Sequence, residues 1–525
     1  MKIFKLLFLS NLLLQFAFAQ ETPPVIPTPL SFEGGTALFV LNKNTAIQYV
    51  NEDLKDEAHF LQKELLKKQQ LPLSLTQRNT EAAKIILKTS STENDGYKLS
   101  IRPEQIQITS NDENGIFYGI VSLLQIIDQA KSQGSEFHIA TWDIKDRPEY
   151  AWRGFMLDES RHFFGKEKVK SILDWMAYYK LNKFHWHLTD APGWRIEIQK
   201  YPKLGLVGGI GDHINPFTPS QYYTQEEIKE IVQYAQERKI EVIPEIDMPG
   251  HATAANRAYP EFSGGGSEKH PEFTFHPGKE ATYQYLTDIL REIDVLFPSQ
   301  MIHLGGDEVS FGNQKWASDP LISKLRQKEN LSSLKEVEDY FIKRMADSLF
   351  SLNNKILAWD EMAEAGLPTE KSILFWWRHD KPEQLSKLME HNIPTVICPR
   401  IPLYFDFVQD ETHRNGRKWG GNFNPLQRVY EFDLSEFNIP ESKKDLILGF
   451  QANLWTETVS HEERLDFLVF PRIAAMAEAV WNHKNNKNYE DFSLRVKNHF
   501  RLYKNDGLYF YDPFHPDTHP EPVIK

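Results

Sequence analysis

From about residue 150 onward, short apolar runs alternate with longer stretches in which apolar positions recur every three or four residues. The short runs fall at 154–157, 183–188, 241–246, 301–304, 356–359, 373–377, 395–398 and 447–451. Between them Val169, Ile172, Leu173 and Met176 form one stripe, Ile228, Ile231, Val232 and Ala235 a second, and Leu286, Ile289, Leu290 and Ile293 a third. That i, i+3, i+4, i+7 spacing predicts amphipathic helices. Thr224 and Glu227 stand where a capping box would open the second of them. Eight strands, each followed by helix, predict a (β/α)8 barrel, an α/β fold. A doubly wound open sheet is the alternative.

The first part of the chain has a different texture. Pro23, Pro24, Pro27 and Pro29 form an extended lead-in. Residues 85–87 read as a buried strand, and 99–101 with 106–108 alternate like a hairpin around Pro103. Ile120, Leu123, Leu124 and Ile127 mark a helix. These elements predict a smaller α+β domain over 20–147, with a boundary near Asp146-Arg147-Pro148. The barrel is then expected over 148–503, with a tail at 504–525.

The first 19 residues read as a signal peptide. Lys2 and Lys5 precede an apolar stretch from Leu6 to Phe16, and Ala17-Phe18-Ala19 fits the small-x-small cleavage pattern. The stretch is short for a membrane anchor, and no later segment is long and apolar enough to span a bilayer. The expectation is export, to a periplasm or the medium. The single cysteine, Cys398, leaves no internal disulfide, which suits a bacterial periplasm better than a eukaryotic lumen. Cys398 lies in an apolar run and reads as a small buried hydrophobe.

Net charge is −13, with Lys and Arg interspersed among acids rather than clustered, so the composition excludes a nucleic-acid surface. Aromatics make up 13% of the chain, which is compatible with stacking on sugar faces but does not demonstrate it.

Chemistry gathers where the strands end. In order, these positions carry Asp158; His187 and Asp190; Glu245 and Asp247; Asp307 and Glu308; Trp359, Asp360 and Glu361; Trp377 and Arg378; and Trp455 with Glu457. Barrel enzymes place their active sites at the C-terminal ends of the strands. The sharpest motif is His303-Leu304-Gly305-Gly306-Asp307-Glu308, two adjacent carboxylates after two glycines. A surface Asp-Glu pair in a loop is the plain alternative. Adjacent side chains diverge, so this pair cannot easily flank a scissile bond from opposite faces, as a retaining pair ~5 Å apart does. It suggests one acid and one helper, with the nucleophile coming from elsewhere. His185 and His187 share a strand face and could ligate zinc or line a polar pocket. His251 ends a Pro-Gly turn near the acid. Tryptophans at the rim could form a dry box for a methyl group. A sugar-binding protein without turnover is a further reading of the same features.

Six segments, in this order, resemble the family 20 glycoside hydrolases, the β-N-acetylhexosaminidases. They are Arg153-Gly154-Phe155-Met156-Leu157-Asp158, Arg161-His162-Phe163, His185-Trp186-His187-Leu188-Thr189-Asp190, Pro244-Glu245-Ile246-Asp247-Met248-Pro249-Gly250-His251, the Asp307-Glu308 motif, and Leu454-Trp455-Thr456-Glu457. Gly115-Ile116-Phe117-Tyr118-Gly119 resembles part of the family's non-catalytic α+β domain. The resemblance implies exo-acting, retaining removal of terminal GlcNAc or GalNAc from oligosaccharides or glycoconjugates, without metal or cofactor. The substrate's own 2-acetamido oxygen would be the nucleophile, passing through an oxazolinium ion. Glu308 would be the general acid and then the base, and Asp307 would orient the acetamido group. Tyr404 would bond its carbonyl oxygen, and Trp359, Trp377 and Trp455 would wall its methyl. Arg153, Asp190, Asp406 and Glu457 would bind ring hydroxyls, while Asp247 and His251 support the acid. One departure is Asp190-Ala191-Pro192-Gly193, where family members commonly carry another acid and an amide before Gly-Trp. It bears on preferences beyond the cleaved sugar.

Overall fold

The computed structural model describes residues 22–91, 95–482 and 487–523. The predicted signal peptide lies outside the described residues.

Eight parallel strands close into a barrel: β1 (Trp152–Asp158), β2 (Lys183–Thr189), β3 (Glu241–Ile246), β4 (Met301–His303), β5 (Lys355–Trp359), β6 (Ser372–Trp376), β7 (Thr395–Ile397) and β8 (Ile447–Leu454). They follow one another in chain order, and β8 returns to pair with β1. The fold is therefore the (β/α)8 barrel, and the open sheet is excluded. All three predicted stripes are buried helix faces. The capping box is present: Glu227 N–H donates to Thr224 Oγ1 at 3.3 Å and Thr224 N–H to Glu227 Oε2 at 3.0 Å.

Strand alternation sorts side chains into two cores. On β2, Phe184, Trp186 and Leu188 join the large core under the helices. The lumen holds Trp152, Ile243, Leu357, Trp359, Ile373, Phe375, Val396 and Cys398. His185, His187, Glu245 and His303 are also fully buried. The register pairs His187 with Glu245 and Glu245 with His303 across β2, β3 and β4. One polar layer is thereby set within the barrel.

The N-terminal domain is a mixed sheet with two helices, Lys55–Gln69 and Glu113–Asp128. The hairpin expected near Pro103 pairs Tyr97–Ile101 with Ile106–Ser110, antiparallel. The second helix is buried along its whole length from Gly115 to Asp128. A helix wet on no side must be covered on every side. The sheet covers one face and the barrel another: Gln125 Nε2 donates to Tyr178 O at 2.6 Å. The proline-rich lead-in is clamped at the same junction, where Ile26 N–H donates to Gln125 Oε1 at 2.7 Å.

Candidate active site

The β4 strand ends at His303, and the next four residues make a turn that only glycines allow. Gly305 and Gly306 have φ of 68° and 86°. A Cβ on Gly305 would stand 1.9 Å from Asp247 Oδ1, and one on Gly306 would stand 3.1 Å from Met362 Cγ. Glu308 itself has φ of 52°, a strained backbone conformation for a residue with a side chain. The turn delivers both carboxylates to the C-terminal mouth of the barrel.

There they line a pocket of about 230 Å³. Trp359, Trp377, Trp455 and Tyr404 form an aromatic enclosure. Trp359 and Trp455 have ring centroids 5.9 Å apart, Tyr404 and Trp455 6.3 Å, and Trp377 stacks on Tyr404 at 6.2 Å with 12° between planes. Trp377 Nε1 donates to Glu361 Oε2 at 3.1 Å, which fixes its ring. At the far end Arg417 bridges two acids, with Nε 2.6 Å from Asp406 Oδ2 and Nη2 2.6 Å from Glu457 Oε1. Asp307 Oδ1, Asp406 Oδ1 and Glu457 Oε2 are buried and have no hydrogen-bond partner among the described residues. Buried polar atoms are nearly always satisfied, so three unpartnered oxygens in one pocket are an acceptor set for a polar ligand.

Behind the pocket runs a chain of alternating charge. Glu245 lies in the lumen among four ring nitrogens. Trp359 Nε1 is 3.0 Å from its Oε1 and His303 Nδ1 is 2.9 Å away; His185 Nε2 is 3.1 Å from Oε2, which His187 Nδ1 also contacts. His187 Nε2 is 3.0 Å from Asp190 Oδ2, and His251 Nδ1 is 2.9 Å from Asp190 Oδ1. His251 Nε2 then sits 3.6 Å from both Asp307 and Glu308. Burial disfavours both imidazolium ions, but the flanking carboxylates outweigh it. Glu245 and Asp190 carry His187 up to about 10, and Asp190 with Asp307 carries His251 up to about 9. Burial pushes Asp307 up to about 8, against His251 and with the help of Glu308. Burial also raises Glu308, opposed by His251 and Arg161. Adjacent carboxyls that both resist ionisation lose their protons less readily than free ones, which favours an acid catalyst.

Comparisons with known proteins bear on the same geometry. Residues 150–484 match the model for the glycosyl hydrolase family 20 catalytic domain, and residues 22–147 match the model for that family's domain 2. The chain belongs to glycosyl hydrolase family 20. A beta-hexosaminidase of Porphyromonas gingivalis is 33% identical over 490 residues, covering 90% of this chain and 62% of that protein. The chain thus spans less than two thirds of that relative's length. The family 20 exo beta-N-acetylglucosaminidase of Vibrio harveyi, solved with N-acetylglucosamine, superposes with a TM-score of 0.87 at 30% identity, covering 94% of this chain and 80% of that one. A beta-N-acetylhexosaminidase of Bacteroides fragilis gives 0.83 at 30% identity, covering 95% and 99%.

Within this family 20 barrel, Asp307, Glu308, Trp359, Trp377, Tyr404, Asp406, Trp455 and Glu457 all line the pocket. Asp190, Asp247 and His251 lie behind it. Asp247 keeps its N–H on Thr189 Oγ1 at 2.9 Å, and burial beside Asp307 holds its carboxyl well above the usual range. Trp376 points into the outer core, its indole donating to Lys381 O at 3.4 Å.

Arg153 is a correction. It sits at the start of β1, fully buried, at the opposite end of the barrel from the pocket. Its Nε donates to Lys180 O at 2.9 Å, and its Nη2 to Tyr118 OH of the N-terminal domain at 2.6 Å. It is an interdomain fastener. The arginine in the pocket is Arg161, just past the other end of the strand. It pairs with Asp190 at 2.7 Å and Asp158 at 3.2 Å and lies over the Trp455 ring at 4.9 Å. In the sequence Arg161 stands in the Arg161-His162-Phe163 segment, three residues past the end of β1, and nothing in the local pattern marks it as a pocket residue. Arg417 and Trp419, also in the pocket, come from a long irregular loop that offers no periodic signal. The two imidazoles of His185-Trp186-His187 face the lumen, and their nitrogens engage Glu245, Asp190 and Gln451.

Proposed function

We propose that the protein is an exo-acting β-N-acetylhexosaminidase that removes terminal N-acetylhexosamine with retention, using the substrate's acetamido group as nucleophile. One observation carries the reading. Asp307 Oδ1, buried and unpartnered, opens beside a box of three tryptophans and a tyrosine. An acetamido group offers an N–H for that oxygen, a methyl for the indole faces and a carbonyl oxygen for the Tyr404 hydroxyl.

The acetamido oxygen attacks the anomeric carbon as Glu308 gives its proton to the leaving oxygen, and the glycosidic bond breaks. Asp307, which holds its proton while the pocket is empty, is ionised in the substrate complex, where the acetamido N–H and the positive charge that develops on the oxazolinium ring favour the carboxylate. Water then attacks the same carbon from the vacated face and returns its proton to Glu308. Asp406 and Glu457 accept from ring hydroxyls and Arg161 donates to them. The Asp406–Arg417–Glu457 cluster closes the pocket end, and a volume of about 230 Å³ suits one terminal sugar, which supports the exo mode. The names of the relatives point to the same activity.

The test compares aryl 2-acetamido-2-deoxy-β-glycosides with their 2-hydroxy analogues. Release is expected from the first and almost none from the second; equal rates would sink the assisted mechanism. Export through residues 1–19 belongs to the same proposal, and N-terminal sequencing of the mature protein should begin at Gln20.

A further inference from the structure

The chain stays packed after the helix Tyr489–Asn505. Leu508, Phe510 and Tyr511 are buried. Phe510 lies against Phe500 at 4.8 Å, and Tyr511 meets His413 edge-on at 4.7 Å. Tyr509 OH donates to Pro520 O at 2.9 Å and holds the strap closed. The strap delivers Glu521, whose side chain is 13% exposed, to two consecutive backbone amides. Arg414 N–H donates to Oε2 at 2.6 Å and Asn415 N–H to Oε1 at 2.9 Å. The fully buried Arg464 donates to Pro522 O at 3.0 Å and stands 3.5 Å from Glu521.

Those two amides belong to the loop that ends in the pocket. Its base is closed by Arg417 N–H to Asp406 O at 3.2 Å and Val408 N–H to Arg417 O at 3.3 Å. Arg417 follows Asn415 by two residues. Gly416, between them, packs so closely that a Cβ would stand 2.8 Å from Arg464 Nη2. Arg464, Glu521 and the loop make one clasp, and the side chain immediately beyond it is the guanidinium that orders Asp406 and Glu457.

We propose that Glu521 is a positioning residue of the sugar pocket: by capping the Arg414 and Asn415 amides it holds the loop, and through it Arg417, against Asp406 and Glu457. The proposal rests on the reading that these two acids receive ring hydroxyls. A carboxylate accepting two N–H groups makes charge-assisted bonds stronger than those of the neutral amide in Glu521→Gln. The reacting groups Asp307 and Glu308 stand on another strand end, so the loss should fall on binding of substrate and transition state alike.

The experiment is steady-state kinetics on an aryl 2-acetamido-2-deoxy-β-glucoside with E521Q, R417M, D406N and the E521Q/R417M double variant. E521Q should raise KM about three- to tenfold with kcat within about twofold, and it should add nothing in the R417M background. A lower Tm with unchanged KM, or a full additional effect in the double variant, overturns the proposal. If R417M and D406N also leave KM unchanged, the hydroxyl reading has failed; if they raise it and E521Q does not, only the role of Glu521 has failed. Should E521Q not fold, hydrogen exchange on the wild-type protein decides. Protected amides at 414 and 415 support the clasp, and exchange at the rate of free amides overturns it.

Discussion

Trp359 donates its indole N–H to Glu245 Oε1 over 3.0 Å. A wall of the aromatic enclosure therefore hangs from a carboxylate buried in the barrel lumen. The same carboxylate, through His187 and Asp190, reaches His251 and the Asp307–Glu308 pair. The aromatic enclosure and the carboxylate pair share one support.

Glu245→Gln should disturb both at once. It leaves the positive charge on His187 facing an uncharged amide, and breaking a buried ion pair on one side costs about 3–5 kcal/mol. Chemical denaturation should show a loss of that size, with a fall in kcat on the 2-acetamido substrate. Wild-type stability in the variant would mean that the chain of charge is not maintained.

Asp307→Asn should give a stability gain that grows with pH. Folded Asp307 keeps its proton up to about 8, whereas an unfolded aspartate loses it near 4. Between those values the wild type takes up a proton on folding, and its stability falls as pH rises, by up to about 1.4 kcal/mol per pH unit. Asparagine has no such proton. The Tm difference should be small at pH 4, grow to pH 8 and level off above it, while activity is lost throughout. A pH-independent difference would contradict the buried, proton-holding carboxyl.

Glu308→Gln should cost about 10²- to 10⁴-fold for leaving groups that need protonation and far less for dinitrophenyl. In the wild type, kcat/KM should decline with rising pH as Glu308, whose carboxyl burial holds above the usual range, gives up its proton. A uniform loss across leaving groups would remove Glu308 from the acid role.

The two arginines that flank β1 should separate in KM. Arg161→Met should raise KM by about tenfold or more through lost hydroxyl contacts. Arg153→Met should lower stability by about 1–3 kcal/mol, because its buried carbonyl and hydroxyl partners lose a charged donor, and should leave KM unchanged. The reverse pattern would put Arg153 back in the pocket.

That pair also marks how far the sequence could be read. The eight strands were legible because each is a short apolar run beside a periodic helix, and the strand ends collected the acids that the pocket uses. Sequence does not weigh distance along a strand. Arg153 and Asp158 are five residues apart on β1, about 16 Å in extended chain, which is the difference between the floor of the barrel and its mouth. Arg417 was illegible for another reason. Its loop has no period; Asn415-Gly416 and Gly420-Gly421 mark turns, but only the structure shows that Arg417 meets Asp406 and Glu457. The Glu245 layer was half visible: alternation puts His185 and His187 on one face, but only the register of β2, β3 and β4 reveals that Glu245 and His303 stand beside them.

Past its first two residues, the helix Glu113–Asp128 has no wet face. An element of that kind cannot be a boundary, because a boundary needs a surface. The two units matched by separate family models therefore meet inside a shared interior, joined by Arg153 to Tyr118 and by Lys180 to Asp146. Neither could be exchanged for a stranger without recutting the other, and the chain should melt in one cooperative step.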